Sequence, residues 1–134
     1  MKTQFLGLFI CFSLSLLSCQ KWNRNSCDGA ICTMMFYSVG VKIVDSNDNS
    51  ILVDRVETYY KNKLIHEETY TTINSFESYT IIDDSDMSDL PLNERVNVQF
   101  KAYKNNVLLG EQYFSVSADC CHVNGYEIQK MIID

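Results

Sequence analysis

An antiparallel β-sandwich is the fold this sequence predicts, and three features predict it. Apolar and polar residues alternate with period two along most of the chain, as in strands that bury one face. Clusters of Asn, Asp and Ser break the alternation at intervals of about ten residues and mark turns. The 134 residues include one proline, and no stretch carries the period of an amphipathic helix.

The first strand is expected from Met35 to Ile43, where Met35, Tyr37, Val39, Val41 and Ile43 alternate with Ser38, Gly40 and Lys42. Asp45-Ser46-Asn47-Asp48-Asn49-Ser50 ends it, because these side chains bond their own backbone and tolerate left-handed conformations. Ile51 to Val56 begins the return. Further strands are expected at Val56–Tyr60, Glu68–Ile73 and Ser78–Ile82, rich in Thr, Tyr, Ile and Val, with turns at Lys61-Asn62-Lys63 and Asn74-Ser75. After an acidic connection, Arg95 to Lys104 alternates cleanly, with Val96, Val98, Phe100 and Ala102 inward. Asn105-Asn106 reverses the chain, and Leu108, Phe114, Val116 and Ala118 supply the inner face of the next strand, with Gly110 at a bulge. A last strand is expected from about Tyr126 to Ile133, after Asn124-Gly125. About seven short strands joined in this way suit an immunoglobulin-like sandwich, with a transthyretin-like topology as the alternative. The Cys-Trp-Cys spacing of antibody domains is absent.

The start of the chain reads differently. Lys2, the apolar run from Phe5 to Leu17 and the small residue Ser18 before Cys19 form a secretory signal. The run is shorter than the roughly 20 apolar residues that span a bilayer. Leu16-Leu17-Ser18-Cys19 resembles a bacterial lipobox, which implies cleavage before Cys19 and covalent lipid on that residue. An ordinary cut near Ser13 or Ser15 is the competing reading, but Leu16 stands where general signal cleavage needs a small residue. The expected organisation is a signal peptide at 1–18, a lipidated cysteine and polar tether at 19–26, and one sandwich domain at 27–134. Several acyl chains hold firmly, at about 0.8 kcal/mol per buried CH₂, where one does not.

The chain carries a formal charge of −6. Loss of residues 1–18 removes Lys2 and no acid, leaving −7 on the mature form. Such a body is repelled by nucleic-acid phosphates and anionic headgroups, so no nucleic-acid partner is expected.

With Cys11 in the signal and Cys19 lipidated, Cys27, Cys32, Cys120 and Cys121 remain, an even set that reads as disulfides in an exported domain. Adjacent Cys120 and Cys121 are poorly placed to bond each other, because the small ring strains the peptide between them. Cys27 and Cys32 are therefore expected to join Cys120 and Cys121, in an order that spacing leaves open. A rival reading makes the four thiolates, with His122, a zinc, copper or redox site. Its spacing is poor, since zinc motifs pair cysteines about two to four apart.

Other chemistry is sparse. The loop Asp83-Asp84-Ser85-Asp86-Met87-Ser88-Asp89 offers Asp83, Asp84, Asp86 and Asp89 to a calcium ion. Counted from Asp84, however, Asp89 stands where an EF-hand needs glycine and Arg95 where it needs glutamate. Asp45-Ser46-Asn47-Asp48-Asn49 fails the same test at Ser50 and Val56. The two histidines, His66 and His122, lack any hydrolase or metalloprotease motif, and His66-Glu67-Glu68 reads as surface. The expectation is a chain that is not an enzyme and uses no cofactor beyond lipid on Cys19. Tyr59 and Tyr60 are adjacent, so in a strand one points in and one out, and Tyr70, Tyr79, Tyr103 and Tyr113 are expected on outer faces, a type of surface that glycans and protein partners use.

The lipobox, the pair Cys27 and Cys32, and Asp119-Cys120-Cys121-His122-Val123 together resemble the small surface lipoproteins of Gram-negative bacteria that carry a single immunoglobulin-like domain. The resemblance spans nearly the whole chain. It implies a lipid-anchored place in the cell envelope, expected at the outer membrane, and a fold that hosts many unrelated roles. The expected role is a non-catalytic binding or assembly module for an envelope protein or glycan, with the thiol site and a calcium-stabilised adhesion domain as alternatives.

Overall fold

The computed structural model describes residues 27–71, 78–125 and 129–133. The expected signal at 1–18, Cys19 and the tether lie outside the described residues, as do 72–73 of one expected strand, 126–128 of another, and the Asn74-Ser75 turn.

Among the described residues eight strands occur: β1 (Ser38–Val44), β2 (Arg55–Tyr60), β3 (Lys63–Thr69), β4 (Tyr79–Asp83), β5 (Arg95–Lys104), β6 (Val107–Ala118), β7 (Val123–Gly125) and β8 (Gln129–Ile132). A sheet in the order β4-β1-β8 packs on a sheet in the order β3-β2-β5-β6-β7. The chain is an all-β sandwich, as its alternation predicts. One pairing departs from an antiparallel design: β1 and β8 run parallel, from Val41 opposite Gln129 to Val44 opposite Ile132. β7 belongs to one sheet and β8 to the other, so no hairpin constrains the direction in which β8 meets β1.

The core is the meeting of the inner faces. Val41, Ile43, Ile81 and Met131 from the smaller sheet meet Val56, Val98, Phe100 and Val116 from the larger. The Phe100 and Phe114 rings pack edge to face, with centroids 5.8 Å apart. Thr58 Oγ1, fully buried on β2, donates to Ile81 O of β4 at 2.6 Å and so bonds one sheet to the other. Tyr79 OH accepts from Val53 N at 3.0 Å, which fixes the β1–β2 connection to β4.

Several boundaries differ from those expected. The first strand begins at Ser38, and Met35 and Tyr37 are exposed. Ser38 pairs with Asp83, the last residue of β4. Beyond it β4 gives way to a 3-10 turn, Asp84–Asp89, so the pairing ends with a single further bond, from Asp84 N to Tyr37 O at 3.1 Å. The return after β2 begins at Lys63, because Lys61 and Asn62 alone make the turn with φ of 49° and 65°. Two consecutive positive φ values match the right-handed twist of a tight hairpin. The strand expected at Glu68–Ile73 is accordingly β3, seated earlier. Asn105 and Asn106 repeat the device with φ of 52° and 61°, and β5 has the expected bounds.

Leu108 points outward. Ala102 pairs with Gly110 but Tyr103 with Leu108, so Leu109 is an extra residue that inverts the alternation beside Gly110. Asn124-Gly125, expected as a turn, lies in β7 and pairs with Ser117 and Val116. A side chain at Gly125 would run into the Val39 isopropyl group of β1, which shows how closely β7 crosses the other sheet. Tyr79 is buried in the core and Tyr70 half-buried against it, with ring centroids 5.1 Å apart; neither lines an outer face.

Candidate functional site

Three places hold the residues that chemistry could use. The first is the corner where the N-terminal segment meets the β6–β7 connection. Cys27 bonds Cys120 and Cys32 bonds Cys121, with Cα separations of 5.4 and 5.2 Å. Disulfides thus join the early pair to the adjacent late pair, in the order that spacing left open. The sulfurs are bonded to each other, which leaves no thiolate set for an ion. His122 is held from both sides: Nδ1 lies 2.8 Å from Asp84 Oδ2 and Nε2 lies 2.9 Å from Thr33 Oγ1, while the ring sits 4.3 Å from that of Tyr37. Asp84 also accepts from Val123 N at 2.8 Å and Tyr37 N at 2.9 Å. Burial opposes the ionised form, but the hydrogen bonds from His122, Tyr37 and Val123 hold the Asp84 carboxyl below the usual carboxylate range. Asp119 accepts from the Cys121 and His122 amides, which lowers its pKa in the same way.

Hydroxyl, imidazole and carboxylate stand here in the order of a hydrolase relay. Thr33, however, lies exposed on an extended segment. The neighbouring cleft of about 340 Å³, lined by Cys27, Met87, Leu90, Leu92 and Cys120 among others, does not include Thr33. The relay ties three described segments of chain together.

The second place is the edge where β3 meets the 3-10 turn. His66 reads as surface in the sequence, yet its side chain is only 10% exposed. The bulge between Thr58 and Tyr59 leaves Ile65 as an extra residue and turns His66 inward opposite Thr58. His66 Nδ1 lies 2.8 Å from Asp86 Oδ2, which also accepts Asp83 N at 2.9 Å, and Asp83 in turn caps the turn by accepting Ser85 N at 2.8 Å. Burial works against protonation of His66, but the Asp86 hydrogen bond and the charges of Asp86, Asp83 and Glu68 outweigh it and raise the pKa. His66, Asp83 and Asp86 can each offer a ligand atom within 4.8 Å of the others. Of the four expected calcium ligands, Asp83 and Asp86 converge. Asp84 is held by His122, and Asp89 pairs with Lys63. The Asp45 carboxylate is likewise engaged by its own turn, accepting Asn47 N at 2.9 Å and Asn49 N at 2.8 Å.

The third place is the outer face of the larger sheet. Register across β2, β5 and β6 sets three rows: Arg55, Tyr103 and Leu108; Glu57, Lys101 and Glu111; Tyr59, Gln99 and Tyr113. Glu57 is buried although it faces outward. It accepts from Tyr59 OH at 2.8 Å and Tyr103 OH at 2.9 Å and pairs with Arg55. The Arg55 guanidinium lies 4.1 Å from the Tyr103 centroid, and Lys101 Nζ 4.8 Å from that of Tyr59. Tyr113 stands 66% exposed. The sequence nominated these three tyrosines; the buried glutamate that organises two of them left no signal in it.

Among the described residues no helix is long and apolar enough to cross a membrane. Comparison with protein-family models, curated proteins and solved structures gives no match, so the fold and these three places carry the functional argument.

Proposed function

We propose that this chain is an envelope lipoprotein, anchored by lipid on Cys19 and expected at the outer membrane, whose sandwich is a non-catalytic binding or assembly module. The carrying observation is the outer face of the larger sheet, where a buried glutamate holds two tyrosines and a third, Tyr113, stands open in the same row as Tyr59. Side chains held in place before contact lose little freedom on binding, and tyrosine is prominent among residues that dominate interfaces. Two of the three rings already carry a cation over one face. Sugar stacking needs open ring faces, so a protein partner of mixed polarity suits this surface better than a glycan.

The thiol-site reading draws less support, because both disulfides are formed and both His122 nitrogens are engaged. Calcium-stabilised adhesion draws less as well, since Asp84 and Asp89 point to other partners.

Two experiments test the proposal. Replacing residues 1–19 with an ordinary cleavable export signal that leaves no cysteine at the cut should move the protein from the membrane to the soluble fraction; retention in the membrane contradicts lipid anchoring at Cys19. A photoactivatable residue at position 113 should give a discrete adduct in intact envelopes that one at exposed Asp48 does not. Equal labelling at both positions rules the face out. Saturable binding of a soluble sugar that Tyr113→Ala abolishes moves the reading to a glycan.

A further inference from the structure

Ile31, Met34, Met35 and Phe36 form a run of apolar side chains that the fold leaves in solvent. Ile31 is 97% exposed, Met35 63% and Phe36 69%, and Met34 is fully exposed. Isolated exposed apolar residues are ordinary; four within six residues are the kind of surface that something covers. The segment is also fastened in place. Cys32 is bonded to Cys121, Thr33 Oγ1 meets His122 Nε2 at 2.9 Å, and Tyr37 N donates to Asp84 at 2.9 Å. The fold therefore presents these side chains at a fixed place beside the Cys27–Cys120 bridge.

We infer that this segment rests in the headgroup and upper acyl region of the bilayer that holds the anchor, which makes it a second membrane contact. The inference rests on the lipid-anchor reading. Chain length argues for it: Cys27 lies eight residues beyond Cys19, and eight residues reach at most about 29 Å when fully extended. The stapled corner is thereby confined to the neighbourhood of the membrane surface. Charge argues for it as well. No charged residue occurs from Gly29 to Val41, while the whole chain carries −6. An acidic domain tethered this closely can meet lipid only through an uncharged face. Four apolar side chains, one aromatic, suit insertion about 5–10 Å deep, as amphipathic segments do at that boundary. The acyl anchor tethers the domain without orienting it, whereas an added apolar contact fixes its orientation.

The test uses the full chain, processed in cells, purified and returned to phosphatidylcholine vesicles. In a Trp22→Phe background, Phe36→Trp provides a single indole. Lipids brominated near the headgroup end of the acyl chains should lower its emission about twofold relative to unbrominated lipid, given the shallow depth expected. In the unsubstituted chain, peroxide should oxidise Met34 and Met35 several-fold more slowly in vesicles than in a form exported with an ordinary cleavable signal in place of residues 1–19 and kept in solution. The intact mass of the purified chain reports lipid on Cys19 independently. Lipid present with emission unquenched and Met34 and Met35 fully reactive overturns the inference and leaves the anchor standing. A chain without lipid on Cys19 overturns both. Protection of the methionines that is equal in the soluble form assigns the segment to protein contact and also overturns it.

Discussion

Thr58 is a hydroxyl-bearing side chain with no exposure to solvent, and its bond to Ile81 O spans the two sheets. Thr58→Val keeps the shape and removes the donor, leaving a buried carbonyl with one partner fewer. The expected cost is about 1–3 kcal/mol, or a fall in melting temperature of roughly 5–15 °C for a domain of this size. Thermal denaturation followed by circular dichroism measures it. His66 gives a pH dependence of definite sign. Its pKa in the fold is raised above the ordinary 6.5, so its pairing with Asp86, Asp83 and Glu68 stabilises the fold fully below about pH 6.5 and is lost as pH rises through the folded value. Asp84 and Asp119, whose pKa values are lowered from 3.8, act the other way: their contribution is present above that value and lost as acid is added. Melting temperature should therefore decline as pH rises above about 6.5, and His66→Gln should flatten that decline. An unchanged slope in the variant would assign the dependence elsewhere. Period-two reading could not find His66, because the bulge at Ile65 inverts the alternation exactly where the reading needs it.

At the scale of elements, what could be read from the chain was what local chemistry decides. Asn105-Asn106 announces a tight hairpin, since asparagine tolerates positive φ, and β5 follows with clean alternation. Bounds failed where a partner strand decides them: Ser38 starts β1 because β4 ends opposite it, which only the paired sheet shows. β7 is a short element held by packing, and Gly125→Ala should force it away from Val39. The expected result is a loss of about 1–3 kcal/mol, of the size seen when a packed core is overfilled, read from urea denaturation. The staples differ in weight. Closing 93 residues of separation between Cys27 and Cys120 constrains the unfolded chain by about 4.6 kcal/mol in the chain-entropy account. Once it is closed, the Cys32–Cys121 bridge shuts only a short loop and adds about 2–3 kcal/mol. Replacing Cys32 and Cys121 with serine should lower the melting temperature measurably and keep a cooperative transition. A further loss should appear when all four cysteines are replaced.

As a whole molecule, the sandwich closes on itself through its ends. β1 is flanked by β4 and by β8 from the far end of the chain, and Met131 of β8 is buried in the core. Truncation after Gly125 should uncover one side of β1 and empty the Met131 site, abolishing the sharp near-ultraviolet signature of a packed interior. Because Asp84 and Asp89 serve protein partners, chelation with EDTA should leave the melting temperature unchanged; a fall would identify His66, Asp83 and Asp86 as an ion site. The sandwich class was legible from alternation, yet the parallel seam between β1 and β8 was not, since it depends on how two sheets exchange the chain.

The two bridges also set how the domain bears tension. A pull delivered through the residues before Cys27 enters at a sulfur bonded to Cys120, and Cys32–Cys121 repeats the junction a few residues on. Force arriving there passes through covalent bonds into the end of the β6–β7 connection before it can unzip β1 from β4. A load held by a partner on the face of β2, β5 and β6 is then carried from the bridges through the end of β6 into the larger sheet, and the β1–β4 ladder lies outside its path. Reduction would move the line of force into the β1 hydrogen bonds, and the domain would peel at a far lower force from the end where it is held.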